Sequence, residues 1–374
     1  MNQNQSTIMT ESVATVFANA RPFPPARVEI RPVHQVNRLQ WADFVRGAAI
    51  FGVVYIHGSF TFLSARAAPL IPQASFTWCV PVFVILTAFF AKRAANESET
   101  LTFRAYVKQA GKRLKRLLPP FVAWSSFYIL LRNDWHGIGL ARIVSRYFSG
   151  YGWSGQYFLI ILIQLAVIFP LLCRIRIGLS SCIIAFCAHL AASIILPGLF
   201  RNEDLMRKML DDRCALFWMS YAMFGIYLAR TNLMSRQVTA RRVAVSLMVL
   251  VLGIGLTTED PRISELMSSA RPWAAYQHPM IIIASPFIFM SLVTLGVALH
   301  GKLMEVVAAV GRYSLGVFCL NPLVIIVLSK ISVQVAANRE MCLVLPLLAA
   351  AFITLTCYLL SILLANLGLS FLVR

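Results

Sequence analysis

Apolar runs approaching the length of a membrane-spanning helix recur along this chain from residue 43 almost to its end. Such a helix needs about 20 predominantly apolar residues. The chain is 59% hydrophobic and 13% charged, whereas a soluble domain carries about 25% charged residues. The sequence therefore predicts an all-α, polytopic membrane helix bundle of about ten transmembrane helices. The predicted spans are 43–64, 74–91, 118–131, 154–173, 178–196, 214–230, 243–258, 276–299, 306–329 and 341–370.

The distribution of lysine and arginine predicts that both chain termini lie inside, in the cytoplasm. With this N-in, C-in topology, the inner side holds 22 of the 34 basic residues but six of the 15 acidic ones. Cytoplasmic loops carry such an excess of Lys and Arg. Topology and contact with the anionic headgroups of the lipid bilayer therefore explain most of the formal net charge of +19, and we expect no nucleic acid partner.

Two regions differ in composition. Residues 1–37 are polar and proline-rich and are expected to form a flexible cytoplasmic tail, while residues 38–374 form the membrane domain. The eight cysteines lie within or beside apolar runs and form no CxxC pair. We therefore expect no disulfide, no metal site and no permanently bound cofactor. The histidines outside the first span are scattered, which favours structural roles for them; they are His34, His136, His189, His278 and His300.

The first span, WADFVRGAAIFGVVYIHGSF, carries ionisable residues that are costly in lipid. Arg46 and His57 are eleven residues apart, almost three helical turns, so they share one face. Asp43 lies one turn from Arg46 on the same side. Ionisable residues within a span usually face a polar cavity and serve function. The alternative is that Asp43 and Arg46 set orientation at the interface, while His57 makes a hydrogen bond inside the bundle.

The predicted cytoplasmic loop 92–117 ends in a cluster of basic residues just before the third span, in YVKQAGKRLKRLLPPFVAW. Such a cluster can contact lipid phosphates, as the excess of basic residues in cytoplasmic loops suggests. It can also bind a polyanionic cofactor that carries pyrophosphate, because arginine forks suit phosphate oxygens. From charge alone, lipid contact is the favoured interpretation. The cluster consists of Lys108, Lys112, Arg113, Lys115 and Arg116.

Five segments in order resemble the acyltransferase-3 family, the integral membrane O-acyltransferases of bacterial surface polysaccharides. The resemblance covers most of residues 38–370. Its specific parts are the Arg46/His57 spacing and the pair Arg113 and Arg116 before two prolines. Two positions depart from the family pattern: Thr87-Ala88 replaces a usual Ser-Gly, and Asn321 stands where histidine is common, so no catalytic role carries over to it. The segments are WADFVRGAAIFGVVYIHGSF, VPVFVILTAFFAKR, YVKQAGKRLKRLLPPFVAW, GQYFLIILIQLAVIFPLL and VGRYSLGVFCLNPLVII.

The resemblance implies transfer of an acyl group, principally acetyl from acetyl-CoA, to a sugar hydroxyl in the bacterial inner membrane. The expected acceptor is an exopolysaccharide, a lipopolysaccharide or another cell-surface glycan, or a lipid-linked oligosaccharide. His57 would act as general base on that hydroxyl or be transiently acylated itself. Arg46 would bind donor phosphate or orient the site, and Asp43 would position Arg46. The residues expected to bind the CoA phosphates are Lys112, Arg113 and Arg116.

Other functions remain open from the sequence. A transporter or flippase of a lipid-linked sugar would carry polar residues in several spans. Here the ionisable residues concentrate in the first span and before the third, which favours a single site. A donor such as succinyl-CoA and a regulatory or sensory protein with a degenerate site are further alternatives. A polysaccharide assembly complex is a further candidate partner.

Overall fold

The computed structural model describes residues 39–61, 69, 71–95, 102–131, 139–148, 150, 152–199, 213–231, 239–259, 276–331 and 339–374. The predicted tail, residues 1–37, lies outside the described residues, so its prediction stays untested.

The described ranges contain α-helices and short helical turns, without β-strands. The helices are α1 (Gln40–Gly58), α2 (Cys79–Arg93), α3 (Phe103–Leu131), α4 (Leu140–Phe148), α5 (Gln156–Leu172), α6 (Leu179–Leu199), α7 (Met219–Arg230), α8 (Ala240–Glu259), α9 (Pro279–Ala298), α10 (Lys302–Arg312), α11 (Ser314–Ile331) and α12 (Arg339–Leu364). The short turns are Gln73–Phe76, Ala215–Trp218, Ala365–Leu369 and Ser370–Leu372.

Among the described residues, five helical segments are long and apolar enough to cross a membrane, and two shorter ones are apolar. This confirms an all-helical, multi-pass membrane protein, whereas the number of ten spans and the orientation stay predictions. Helix α1 is not among the five, because its ionisable residues lower its mean hydropathy. The five are Gln73–Arg93, Ala240–Thr257, Pro279–Ala298, Ser314–Ile331 and Met341–Leu372, and the shorter two are Gln156–Leu172 and Leu179–Ile195.

Two sequence predictions need correction. The predicted span 306–329 is not one helix, because α10 ends at Arg312 and α11 begins at Ser314. The basic cluster, predicted as part of a loop, lies inside α3, whose second half is the predicted third span. The Lys, Arg, Leu and Ala residues there favour a helix, which continues through Pro119 and Pro120.

Helix α1 lies at the centre of the bundle, in contact with α2, α9, α10, α11 and α12. Of its 19 residues, 14 are buried. Its contact with α10 is close because of two glycines: a Cβ on Gly47 would collide with the Val307 carbonyl, and one on Gly311 with the Asp43 carbonyl. Asp43 is therefore held inside packed protein, whereas Arg46 and His57 on the same helix are partly exposed.

Candidate functional site

The first turns of α1 contain an ion pair. Arg46 Nη1 donates a hydrogen bond to Asp43 Oδ1 at 3.0 Å. The Asp43 side chain is 4% exposed and that of Arg46 is 31% exposed, so the pair lies at the edge of the buried core. The guanidinium carbon of Arg46 also lies 4.8 Å from the centre of the Phe90 ring on α2. A charge pair of this kind holds an arginine in one orientation.

Arg113 meets the same turn of α2. Its Nη2 donates to the Ala91 carbonyl at 3.0 Å, and its guanidinium carbon lies 5.4 Å from the centre of the Phe169 ring on α5. Burial lowers the pKa of Arg113, although arginine stays protonated in proteins. Because Phe90 and Ala91 are consecutive, Arg46 and Arg113 approach one turn of α2 from two helices.

We call Asp43, Arg46 and Arg113 the arginine site. The other residues predicted to bind the donor, Lys112 and Arg116, lie on α3 beside Arg113 but are exposed. Arg113 and Arg116 thus differ: Arg113 packs against α2 and α5, whereas Arg116 is exposed.

His57, near the other end of α1, contacts the start of α5. Its Nδ1 lies 3.1 Å from Ser154 Oγ. Ser154 precedes Gly155, which has a φ of 95° and caps the N-terminus of α5. This left-handed conformation favours glycine, and a Cβ here would also lie 2.6 Å from the Phe318 ring. The backbone that presents Ser154 to His57 therefore requires glycine. We call His57 and Ser154 the histidine site.

A buried polar network fixes the turn that carries Ser154. Gln156 Oε1 accepts from the Gly152 N–H at 2.7 Å, and Gln156 Nε2 donates to Ser125 Oγ at 2.9 Å. Trp153 Nε1 donates to the same hydroxyl at 3.3 Å. Gln156 and Ser125 are fully buried. Leaving a buried polar group unpaired costs about 1–3 kcal/mol, so this network specifies one conformation of the turn.

Asn321 has a structural contact in α11. The next residue, Pro322, lacks an N–H, so the Phe318 carbonyl loses its usual helical donor. Asn321 Nδ2 donates to that carbonyl at 2.7 Å. Asn321 is 1% exposed, and its Oδ1 has no hydrogen-bond partner within the described ranges. Asn321 thus supplies the Phe318 carbonyl with the donor that Pro322 lacks.

Tyr128 of α3 contacts the same part of α11. Its hydroxyl donates to the Cys319 carbonyl at 2.6 Å and accepts from the Leu323 N–H at 3.1 Å. In an α-helix these two backbone groups are hydrogen-bond partners, so the Tyr128 hydroxyl contacts both members of one such pair. The Tyr128 ring also stacks on Trp153 at 5.2 Å between ring centres. Helix α11 is thereby connected to the turn of the histidine site.

The two sites lie toward opposite ends of one continuous helix. Arg46 and His57 are eleven residues apart, which corresponds to about 16 Å along the axis of an α-helix. Helix α5 reaches both sites: Phe169 near its end contacts Arg113, and Ser154 just before its start contacts His57. This arrangement suits an elongated ligand whose anionic end contacts the arginine site and whose reactive end lies near His57.

His189 lies in a separate buried network. Its Nδ1 is 2.8 Å from Ser220 Oγ and its Nε2 is 2.6 Å from Gln277 Oε1. Both ring nitrogens are hydrogen-bonded inside the bundle, which agrees with a structural histidine. His34 and His136 lie outside the described residues. Within the described ranges, no group of three or more His, Cys, Asp or Glu residues could hold a metal ion.

A comparison with known protein families matches a range of the chain that contains both sites. A family model for an acyltransferase domain, acyltransferase-3, matches residues 39–366. The chain belongs to the acyltransferase-3 family. The match runs from the start of α1 past the end of α12, so the arginine and histidine sites are parts of the acyltransferase-3 domain. No curated protein and no solved structure gives a significant match.

Sequence reasoning missed several residues of this acyltransferase-3 domain. Ser154, Gln156 and Ser125 were not singled out, because their contacts join α1, α3 and α5 across long stretches of sequence. The contact of His57 with Ser154 spans 97 positions. The signal in the sequence was the Gly-Trp-Ser-Gly-Gln run before an apolar helix, which indicates a tight turn with polar side chains.

Proposed function

We propose that this acyltransferase-3 protein transfers an acyl group, principally acetyl from acetyl-CoA, to a sugar hydroxyl of a cell-surface glycan. The observation that carries the proposal is the arrangement of α1: a buried helix with arginines near one end and an imidazole about 16 Å away. Acetyl-CoA is likewise anionic at its phosphates and reactive at a distant thioester. The acceptor in this proposal is an exopolysaccharide, a lipopolysaccharide or a lipid-linked precursor.

The proposal includes an orientation. With both termini in the cytoplasm, as the excess of basic residues on that side favours, the arginine site faces the compartment that contains CoA. His57 then lies deeper in the membrane, where donor and glycan acceptor can meet. The membrane in this proposal is the inner membrane of a bacterium, and the number of spans is about ten.

In the proposed reaction, His57 removes the proton of the sugar hydroxyl as its oxygen attacks the thioester carbonyl. A sugar hydroxyl is a very weak acid, so attack near neutral pH needs a base within hydrogen-bond reach. The new C–O bond forms, the C–S bond breaks, and the imidazolium returns the proton to the CoA thiolate. A two-step route, in which His57 is acylated first, uses the same residues.

Ser154 is proposed as a positioning residue. If Nδ1–H of His57 donates to Ser154 Oγ, the lone pair on Nε2 can accept the proton of the substrate. A second hydrogen bond commonly fixes the tautomer of a functional histidine in this way.

The arginine site is proposed to bind donor phosphates. Arg46 and Arg113 supply planar guanidinium groups, which suit phosphate oxygens, and Asp43 keeps Arg46 in place. The exposed Lys112 and Arg116 would raise the positive potential near that site.

Glycan analysis of a deletion strain tests the proposal. We expect a complete polymer that lacks ester-linked acyl groups, and restoration of the ester by the wild-type gene. Loss of polymer export with normal acylation of the retained polymer would instead favour the flippase alternative and contradict acyl transfer.

A further inference from the structure

A cleft of about 930 Å³ opens where α2 ends, α6 begins and α7 ends. Four of its ten described lining residues are cationic, and none of those ten is acidic. We propose that this cleft binds phosphate groups of an anionic ligand, at a place separate from the arginine site. The inference does not depend on acyl transfer. The cationic residues are Lys92, Arg93, Arg176 and Arg230.

Two of the cations are held in place by one backbone group. Lys92 Nζ donates to the Cys173 carbonyl at 2.9 Å, and Arg230 Nη2 donates to the same oxygen at 3.3 Å. Lys92 is 5% exposed, although lysine is almost never fully buried unless paired. A shared carbonyl therefore brings two positive groups together at the wall of the cleft. Basic residues that only reflect the excess of Lys and Arg in cytoplasmic loops would not need to share one carbonyl.

The start of α6 adds donors to the same cleft. Gly178, Ser180 and Ser181 line it, and the helical hydrogen bonds of α6 begin with the one from Cys182 N–H to the Gly178 carbonyl. The N–H groups of the preceding first turn have no acceptor within the helix. Together with the helix dipole, such amides favour an anion. Guanidinium, ammonium, hydroxyl and amide donors therefore surround one space, and phosphate oxygens accept from all four.

The cleft adjoins the arginine site through α2. Lys92 and Arg93 follow directly after Phe90 and Ala91, the residues that Arg46 and Arg113 contact. Phosphate could reach the cleft on a soluble nucleotide-like ligand, such as a CoA donor, or on a lipid headgroup. Both sources share the phosphate chemistry, and the experiment distinguishes them.

The test measures binding to the full-length protein in phosphatidylcholine nanodiscs. One arm titrates adenosine 3′,5′-bisphosphate by calorimetry, with all proteins of this arm carrying Arg113→Ala to weaken the arginine site. The other arm measures retention of added phosphatidylglycerol by native mass spectrometry. The variant combines Arg93→Gln with Arg176→Gln, since both residues are exposed and the hydrogen bonds to Cys173 remain. The control combines Arg241→Gln with Lys302→Gln, which removes the same charge at exposed positions that are not among the described lining residues.

We expect the cleft variant to weaken binding of one probe at least about tenfold, while the control stays within about twofold of wild type; a tenfold change is a modest loss for two charged contacts. Weaker bisphosphate binding identifies a soluble ligand, and weaker phosphatidylglycerol retention identifies a lipid. No wild-type binding of either probe, or equal effects of variant and control, overturns the proposal.

A second variant distinguishes lost binding from misfolding of the first variant. Ser180→Asp places a negative charge in the first turn of α6, where it favours the helix but repels phosphate. We expect unchanged thermal stability and loss of binding. Retained binding in this variant would also overturn the proposal. The His57→Ala protein should keep full binding, so failure of the cleft proposal and failure of the acyl-transfer proposal are distinguishable.

Discussion

At the scale of single residues, the proposed chemistry depends on which nitrogen of His57 carries the proton. Its Nδ1 faces Ser154 Oγ at 3.1 Å, and only a proton on Nδ1 leaves Nε2 free to accept one from a sugar. The placement of Arg46 and His57 on one helix was predictable from their spacing. Ser154 was not, because a turn far along the chain brings it to α1.

We predict that Ser154→Ala lowers kcat about 10- to 100-fold, by analogy with the loss seen when the hydrogen-bond partner of a metal-binding histidine is removed. KM for acetyl-CoA should change little, because Ser154 is remote from the arginine site. Ser154→Thr keeps a hydroxyl and should recover part of the rate. Ser329→Ala is the control, because that exposed hydroxyl bonds within its own helix. A normal kcat, or an effect on KM alone, would refute the role given to Ser154.

For the arginine site, we predict that Arg46→Ala and Arg113→Ala each raise KM for acetyl-CoA about tenfold or more. Hydrogen bonds to charged groups contribute about 1.5–3 kcal/mol, which corresponds to a factor of about 10 to 100 in affinity. Lys115→Ala, at an exposed position on α3, is the control. Unchanged donor saturation in folded protein would leave these arginines with a structural or topological role.

At the scale of elements, hydropathy located the helices but not the break at Tyr313 or the extent of α3. A hydropathy window averages over a break between two apolar halves. The charged half of α3 lacks an apolar signal, although its residues favour a helix. The close contact of α1 with α10 was equally hidden, since it depends on Gly47 and Gly311 meeting backbone carbonyls of the facing helix.

We predict that Gly311→Ala destabilises the protein by about 1–3 kcal/mol, the usual cost of overpacking, and lowers activity by displacing Asp43. The measurement is the thermal unfolding midpoint in detergent together with acyl transfer. Gly255→Ala is a matched control in α8, where a Cβ meets nothing within 4 Å; alanine there should be neutral or slightly stabilising. Equal behaviour of the two variants would argue against the close contact.

A second prediction at this scale concerns the contact of Tyr128 with α11. Tyr128→Phe keeps the ring stacked on Trp153 but removes the hydroxyl that bridges Cys319 and Leu323, so it should lower the unfolding midpoint. The cost of unpaired buried groups is about 1–3 kcal/mol. Tyr147→Phe, whose hydroxyl pairs with Ser126 in a less buried place, should cost less. If both variants melt at the same temperature, the bridge contributes no stability.

At the scale of the whole molecule, composition predicted a multi-pass helical membrane protein, and the helices and family confirm it. Five sequence segments resembled the acyltransferase-3 family, and the match to residues 39–366 confirms the membership. Orientation, donor and acceptor depend on a membrane and on ligands, so they stay proposals. Arg46 and Arg113 both contact the same turn of α2, while their binding of the donor stays a prediction.

The central claim is that His57 performs the acyl transfer, and its most direct test compares His57→Ala with wild type in proteoliposomes supplied with acetyl-CoA and the native glycan. The account predicts a loss of ester formation of at least about 100-fold, the lower range for general acid–base catalysis, with normal insertion, thermal stability and CoA binding. Acylation of the glycan at the wild-type rate by a folded His57→Ala protein would contradict it.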